Sequence, residues 1–293
     1  MNLENRYETY NKDHCWQYEI KLQTKEEDKK LELPDDLRTK DFSFSFIPKE
    51  DKETCTEIIK FINRYEWLGK MPIWVTHRFI ARYQEHLGGV VVMATPNAFS
   101  KLLGDKTKNI EKLISRGAST SWTPKNMASW QLSKSMRWMV KNTPFRLFTA
   151  YSDPIAKELG TIYQATNFYY LGNTYGGGDV YFDPNNSKAG WVGSHYFHYR
   201  SAYVRYAKEL GITWQPEWFT PKRKVKFKAM PEEIKLQLKA KAKEKISNCR
   251  HLKTPKKHKY AYVLGVNKRE TKLLRKEFEE RNVGIIKAYP KQR

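Results

Sequence analysis

The stretch Ala150–Gly172, AYSDPIAKELGTIYQATNFYYLG, decides how the rest of the chain is read. It continues a nearly unbroken apolar run, FRLFTAYSD from Phe145, of the kind a strand covered on both faces requires. Asp153-Pro154 stops that strand, because proline has no N–H for a ladder and holds the preceding residue extended. IAKELGTIYQAT then sets Ile155, Leu159 and Ile162 on one side of a short helix, with Tyr163 on a neighbouring, less apolar side. NFYYLG supplies the next strand. In sheets built this way crevices open at the carboxyl ends of strands, where Tyr151, Asp153 and Tyr163 fall. A phenol there can protonate a leaving group and a carboxylate can accept a proton. The same residues serve equally well as amphipathic core edges and a capping acid.

Working outward toward the N-terminus, TSWTPKN turns into MASWQLSKSMRWMVK, whose Ala128, Leu132, Met136, Met139 and Val140 form an apolar stripe behind an N-cap at Asn126. EKLISRGAS before it reads as a strand carrying Arg116. A capped helix start directs backbone N–H groups and the positive end of the dipole outward, so Asn126, Ser129 and Ser133 are candidate anion ligands, with Arg116 adding a charge. The alternative is a plain cap with two surface hydroxyls, since no glycine-rich loop marks a phosphate cradle. IWVTHRFIARY and LGGVVVMAT read as a hairpin, and Asp51 onward, with Ile58, Ile59, Ile62 and Tyr65, as an amphipathic helix. Residues 1–48 are polar and weakly periodic apart from FSFSF at Phe42–Phe46, and read as an arm.

Toward the C-terminus, DVYFD and WVGSHYFHYR read as strands, and PEEIKLQLKAKAKEKI as a basic helix starting at Pro231. KHKYAYVLGV reads as a strand, ETKLLRKEFEER as a helix and GIIKAYP as a last strand. The layout predicted is an arm (1–48), a catalytic domain (49–220) and a basic DNA-binding subdomain (221–293). The packing answer to this order is an α/β fold with a mixed sheet and helices on both faces.

Charge narrows the partners. The chain has 54 Lys and Arg against 32 Asp and Glu, net +22, and Lys222–Arg293 alone holds 24 basic and 7 acidic residues. Such a segment suits a polyanion, because each neutralised phosphate releases counterions. The cations singled out are Lys222, Arg223, Lys224, Lys256, Lys257 and Lys259. No run approaches the roughly 18 apolar residues of a spanning helix, so double-stranded DNA rather than a membrane is the expected partner, in a cytoplasmic setting. Cys15, Cys55 and Cys249 form neither a disulfide framework nor a zinc knuckle. His195 and His198, three apart in a strand, would face opposite ways, so no metal site is expected. Trp122, Trp130 and Trp138 are candidate base-stacking residues, though such residues more often belong to a core.

YSDP followed by GTIYQATNFYYLG, preceded by LISRGAS and NMASWQLSKSMRWM, resembles the Mom-like family of phage DNA-modification proteins, which has a GCN5-related N-acetyltransferase (GNAT) fold. The resemblance implies a mostly antiparallel sheet with a splayed parallel pair, holding acetyl-CoA or another acyl-CoA. It implies that Arg116, Asn126 and Ser129 hold the coenzyme, that Tyr163 protonates the departing thiolate, and that Asp153 is the acid after the fifth strand. Iron is implied by the resemblance alone. Glu66-Trp67 stands where the family has His-Tyr, which points to a different acceptor or a relocated base. The implied activity is acyl transfer to an exocyclic amine of DNA, adenine N6 first, protecting phage DNA from restriction. Rival readings are a non-catalytic nucleic-acid-binding protein on the same scaffold, and a transferase acting on a hypermodified pyrimidine.

Overall fold

A computed structural model describes residues 13–174, 178–219 and 225–291. Its principal elements are α1 (Trp16–Lys29), β1 (Ser43–Ile47), α2 (Lys52–Tyr65), β2 (Val75–Tyr83), β3 (His86–Ala94), β4 (Glu111–Ser119), α3 (Met127–Asn142), β5 (Leu147–Ser152), α4 (Thr161–Ala165) and β6 (Tyr169–Asn173). There follow β7 (Asp179–Phe182), β8 (Trp191–Gly193), α5 (Arg200–Glu209), α6 (Glu232–Ser247), β9 (Arg250–Lys253), β10 (His258–Val263) and α7 (Lys268–Arg281).

Seven strands form one sheet in the order β1-β2-β3-β4-β5-β10-β6. All neighbours are antiparallel except β4 and β5, which are parallel and paired only from Glu111↔Leu147 to Ile114↔Ala150. Strand alternation divides the side chains between two faces. Val91, Met93, Phe148, Ala150 and Tyr260 pack with Leu132, Met136, Met139 and Val140 of α3. The intervening Leu147, Ala261 and Val263 pack with Phe278 of α7, so helices cover both faces. This is the GNAT-like architecture that the resemblance implies: a mixed, mostly antiparallel sheet opened by one splayed parallel pair.

The domain boundaries differ from those predicted. Among the described residues one unit takes 13–174 with 256–291 and the other lies within 178–255. The reason is β10, which pairs with β5 on one side and β6 on the other, and so binds the end of the chain to the large sheet. The smaller unit has its own sheet, β8-β7-β9, and a core of Tyr203, Tyr206, Trp218 and Leu238 between α5 and α6. The basic quarter is therefore shared between two bodies rather than forming one.

From residue 13 on, the stretch read as an arm carries regular structure. Trp16 and Ile20 of α1 are buried, and β1 pairs with β2 from Ser43↔Arg82 to Ile47↔Arg78. The FSFSF alternation points its three rings at the three tryptophans. Phe42 stacks on Trp122 at 5.7 Å, Phe44 meets Trp130 edge-on at 6.2 Å, and Phe46 stacks on Trp138 at 4.3 Å. These indoles are committed to packing on β1 and on Phe42 just before it.

Three local readings are corrected by turn chemistry. IAKELGTIYQAT is not one helix: a 3-10 turn at Pro154–Ala156 ends with Lys157 left-handed, and α4 starts only after Gly160 at φ +70°. WVGSHYFHYR leaves its strand at Gly193 and becomes a 3-10 turn over Ser194–His198. GIIKAYP makes a single bridge, Lys287 to Tyr170, in place of a strand. A Cβ on Gly160 would lie 2.5 Å from Cε2 of Tyr260. Gly160→Ala is accordingly expected to destabilise the fold by about 3 kcal/mol, from left-handed strain plus overpacking, read as a lower urea midpoint.

Candidate active site

Past Ile114 and Ala150 the parallel strands part, and a cavity of about 270 Å³ opens between them. Its walls are Ser115–Ser119 of β4, Tyr151 and Ser152 of β5, the segment from Lys157 to Tyr163, and Ala128, Gln131 and Leu132 of α3. Beyond Ile114, β4 has no ladder partner on its β5 side among the described residues. The Ser115 carbonyl accepts from Arg116 Nη1 at 2.6 Å, and the backbone beyond it that faces the gap can take an extended ligand. Gly117 keeps that wall low, since an added Cβ would meet only the Val90 carbonyl, at 3.7 Å. Across the gap, the buried Ser152 Oγ has no hydrogen-bond partner among the described residues. A ligand carrying amides fits these vacant groups.

Tyr163 lies half-buried in this wall, its ring 5.2 Å from those of both Phe168 and Tyr260. Burial, and then the charges of Glu158 and Glu66, push its phenol above the ordinary tyrosine range, with Arg116 opposing. The phenol therefore stays protonated. Glu158 sits in the same wall, placed by the turn in which its N–H donates to the Asp153 carbonyl at 3.2 Å. Burial first, and the Glu66 charge second, push its carboxyl up to about 8. Glu66, just past the end of α2, accepts from the N–H groups of Leu68 at 2.8 Å and Gly69 at 3.1 Å. Arg116 Nε is 3.6 Å from the same oxygen, with both side chains only about an eighth exposed, at 13% and 12%. Arg116 also donates to the Lys70 carbonyl at 2.8 Å. The arginine thus lines the cavity but is tied to the loop after α2.

The remaining expected ligands are dispersed. Asp153 is 5% exposed and outside the cavity lining. One of its oxygens accepts from the Ile155 N–H at 3.1 Å and the other is 2.8 Å from Lys257 Nζ. Lys257, expected to hold DNA, therefore neutralises the expected base. Asn126 stands at the N-cap of α3 without a side-chain capping bond, lining a separate shallow recess with Leu37–Lys40. Ser129 Oγ donates to the Asn126 carbonyl at 3.0 Å, and neither it nor Ser133 reaches the cavity. Lys256 is exposed and Lys259 half-buried, while Lys222, Arg223 and Lys224 lie outside the described residues.

Sequence reasoning missed two contributors. Glu158 was hidden on the polar side of a helix that does not form there. Lys21 of α1 lines the cavity and donates to Ser119 Oγ at 2.9 Å, and burial lowers its ammonium below the usual lysine range. The buried Trp16, Ile20 and Thr24, four residues apart, were the signal for that helix. Its anchor is a pair of bonds to the Tyr65 carbonyl, from Trp16 Nε1 at 3.4 Å and Gln17 Nε2 at 3.3 Å.

His195 and His198 lie in a 3-10 turn, where His198 Nδ1 is 3.0 Å from the Tyr203 hydroxyl. Among the described residues no group of three or more His, Cys, Asp or Glu side chains could hold a metal ion, so the donor set does not fit iron. None of the described helices is long and apolar enough to cross a membrane.

The model of the Mom protein family matches residues 52–291. No curated protein matches the chain. Among solved structures, a GNAT family acetyltransferase from Elizabethkingia anophelis with acetyl-CoA bound is similar at 9% identity, covering 76% of this chain and 99% of that one, with a TM-score of 0.32. A GNAT family acetyltransferase from Bacillus cereus is similar at 10% identity, over 45% of this chain and 86% of that one, with a TM-score of 0.29.

Proposed function

This chain belongs to the Mom protein family, and we propose that it transfers an acyl group from an acyl-CoA to an exocyclic amine of a DNA base, adenine N6 first. The observation that carries this reading is the cavity at the parting strands, with Tyr163 and Glu158 on one wall and unpaired β4 backbone on the other. The pantetheine amides would pair with the β4 backbone beyond Ser115 and with Ser152 Oγ. Lys21, beside Ser119, and the first turn of α3, which carries no acidic residue, would favour the coenzyme phosphates. When bound, the coenzyme supplies a thioester carbonyl open to attack by an amine.

Glu158 takes the general-base role that the Asp153–Lys257 pair leaves unfilled. Its ionised carboxylate accepts the proton of the amine as the N–C bond forms, and the Tyr163 phenol gives its proton to sulfur as the C–S bond breaks. Passage of a proton from Glu158 back to Tyr163 restores both groups. Burial of the pair in the cavity wall excludes bulk water and preserves their mismatch in acidity. A base inside a duplex must first be flipped out, at a cost of about a few kcal/mol that DNA contacts offset.

Nucleosides from DNA of cells making the protein are expected to contain a new mass-shifted species, absent from cells making Tyr163→Phe. Mass spectrometry that finds unmodified DNA beside soluble, folded protein would count against the reading. A mass shift on a pyrimidine would move the target base and keep the chemistry.

A further inference from the structure

We propose that the broad groove between the C-terminal end of α3 and the N-terminal half of α7 holds the phosphate backbone of duplex DNA. The inference rests on DNA being the substrate. The groove has a volume of about 1160 Å³ and a floor containing Tyr262, Leu264 and Val266. One wall carries Arg137 and Lys141 of α3, and the other Lys268, Lys272, Arg275 and Lys276 of α7. The lone acid of the lining, Glu279, accepts a hydrogen bond from the Tyr169 hydroxyl.

These cations have few internal partners. Arg275 donates to the Tyr262 hydroxyl at 3.1 Å, and Lys276 lies 3.8 Å from Glu280. Arg137, Lys141, Lys268 and Lys272 are exposed and make no ion pair among the described residues. Lys268, Lys272 and Lys276 form a row four residues apart, stepping about 6 Å along the helix. A DNA strand presents a charge about every 3.4 Å of duplex axis, so a row running along that axis meets roughly every second phosphate. Two cationic walls over an uncharged floor match a polyanionic strand better than a flat anionic surface does.

Placement agrees with a role in holding rather than reacting. The cavity lies at the Ser152 end of β5, which pairs with His258, and the groove begins where β10 ends, beyond Val263. Five residues of antiparallel strand separate the two ends by about 17 Å, close to half the roughly 34–36 Å turn of a duplex. Backbone gripped in the groove and a base extruded at the cavity can thus belong to one bound duplex.

The test is binding of a duplex oligonucleotide, measured against salt, by the full chain and by a variant carrying Arg137→Gln, Lys141→Gln, Lys268→Gln and Lys272→Gln. The variant is expected to bind at least about tenfold more weakly at physiological salt, with the log–log salt slope reduced by about 3 to 4. Stabilisation by acetyl-CoA should match in the two proteins, which verifies the fold and isolates the cavity. Wild-type binding that the four substitutions leave unchanged would overturn the groove assignment alone. Absence of duplex binding by the wild type would overturn it together with the DNA reading. Preferential binding to vesicles containing anionic lipid, lost in the variant, would replace DNA with a membrane surface.

Discussion

Glu158→Gln is expected to lower the rate of acyl transfer by about 10²–10⁴ while acetyl-CoA still stabilises the protein, because the substitution removes a proton acceptor and keeps the side chain's shape. The pH profile is the more specific readout. With its carboxyl pushed up to about 8, Glu158 is mostly protonated at neutral pH and becomes a base as the pH rises. In the wild type kcat/KM should climb with an apparent midpoint near 8, and this limb should vanish in the glutamine variant. A profile unchanged by the substitution would remove Glu158 from the chemistry. Stability moves the opposite way. The folded state binds a proton that the unfolded chain releases at the ordinary carboxyl value of about 4.5, so wild-type stability falls as pH rises from there through about 8. Relative to wild type, the variant should therefore gain roughly 1–3 kcal/mol at pH 8 and above, read from urea midpoints.

Tyr163→Phe should cost a comparable 10²–10³ in rate with the fold intact. The Tyr163 hydroxyl has no hydrogen-bond partner among the described residues, and ring packing on Phe168 and Tyr260 survives its removal. Stability is expected to change by no more than about 0.5 kcal/mol. The donor controls the interpretation: an acyl thioester with an acidic leaving thiol needs no proton at sulfur, so it should react almost equally with both proteins. A large deficit that persists with such a donor would assign Tyr163 to packing or positioning. The raised phenol predicts no alkaline loss of rate from this group through about pH 10.

Much of the site's frame was legible in Ala150–Gly172. The apolar run, the Asp-Pro stop and the glycine before TIYQ mark the strand end, the turn and the start of α4, and place Tyr163 at a crevice. What escaped depends on distant residues meeting. Asp153 and Lys257 are separated by about a hundred positions, and only the pairing of β10 with β5 brings the lysine to the carboxylate. Glu158 escaped because helical periodicity was extended through Gly160, whose left-handed φ interrupts the helix and whose missing Cβ leaves room for Tyr260 from another strand. FSFSF announced a strand but not its partners; the rings it faces come from α3 and the turn before it. The Glu66-Trp67 departure was the best clue to a changed base, and the structure sets Glu66 within electrostatic reach of both Glu158 and Tyr163.

The position of β10 also bears on how the protein is made. Its place in the sheet is between β5 and β6, yet more than eighty residues are synthesised between β6 and its first residue. At about 5–20 residues per second, a growing chain carries two open strand edges for roughly 5–20 s before their shared neighbour emerges. Throughout that interval both edges are open to edge-to-edge aggregation on the ribosome. Truncation ahead of Val263 would make the exposure permanent, whereas an extension fused beyond Lys291 leaves the closing strand in place.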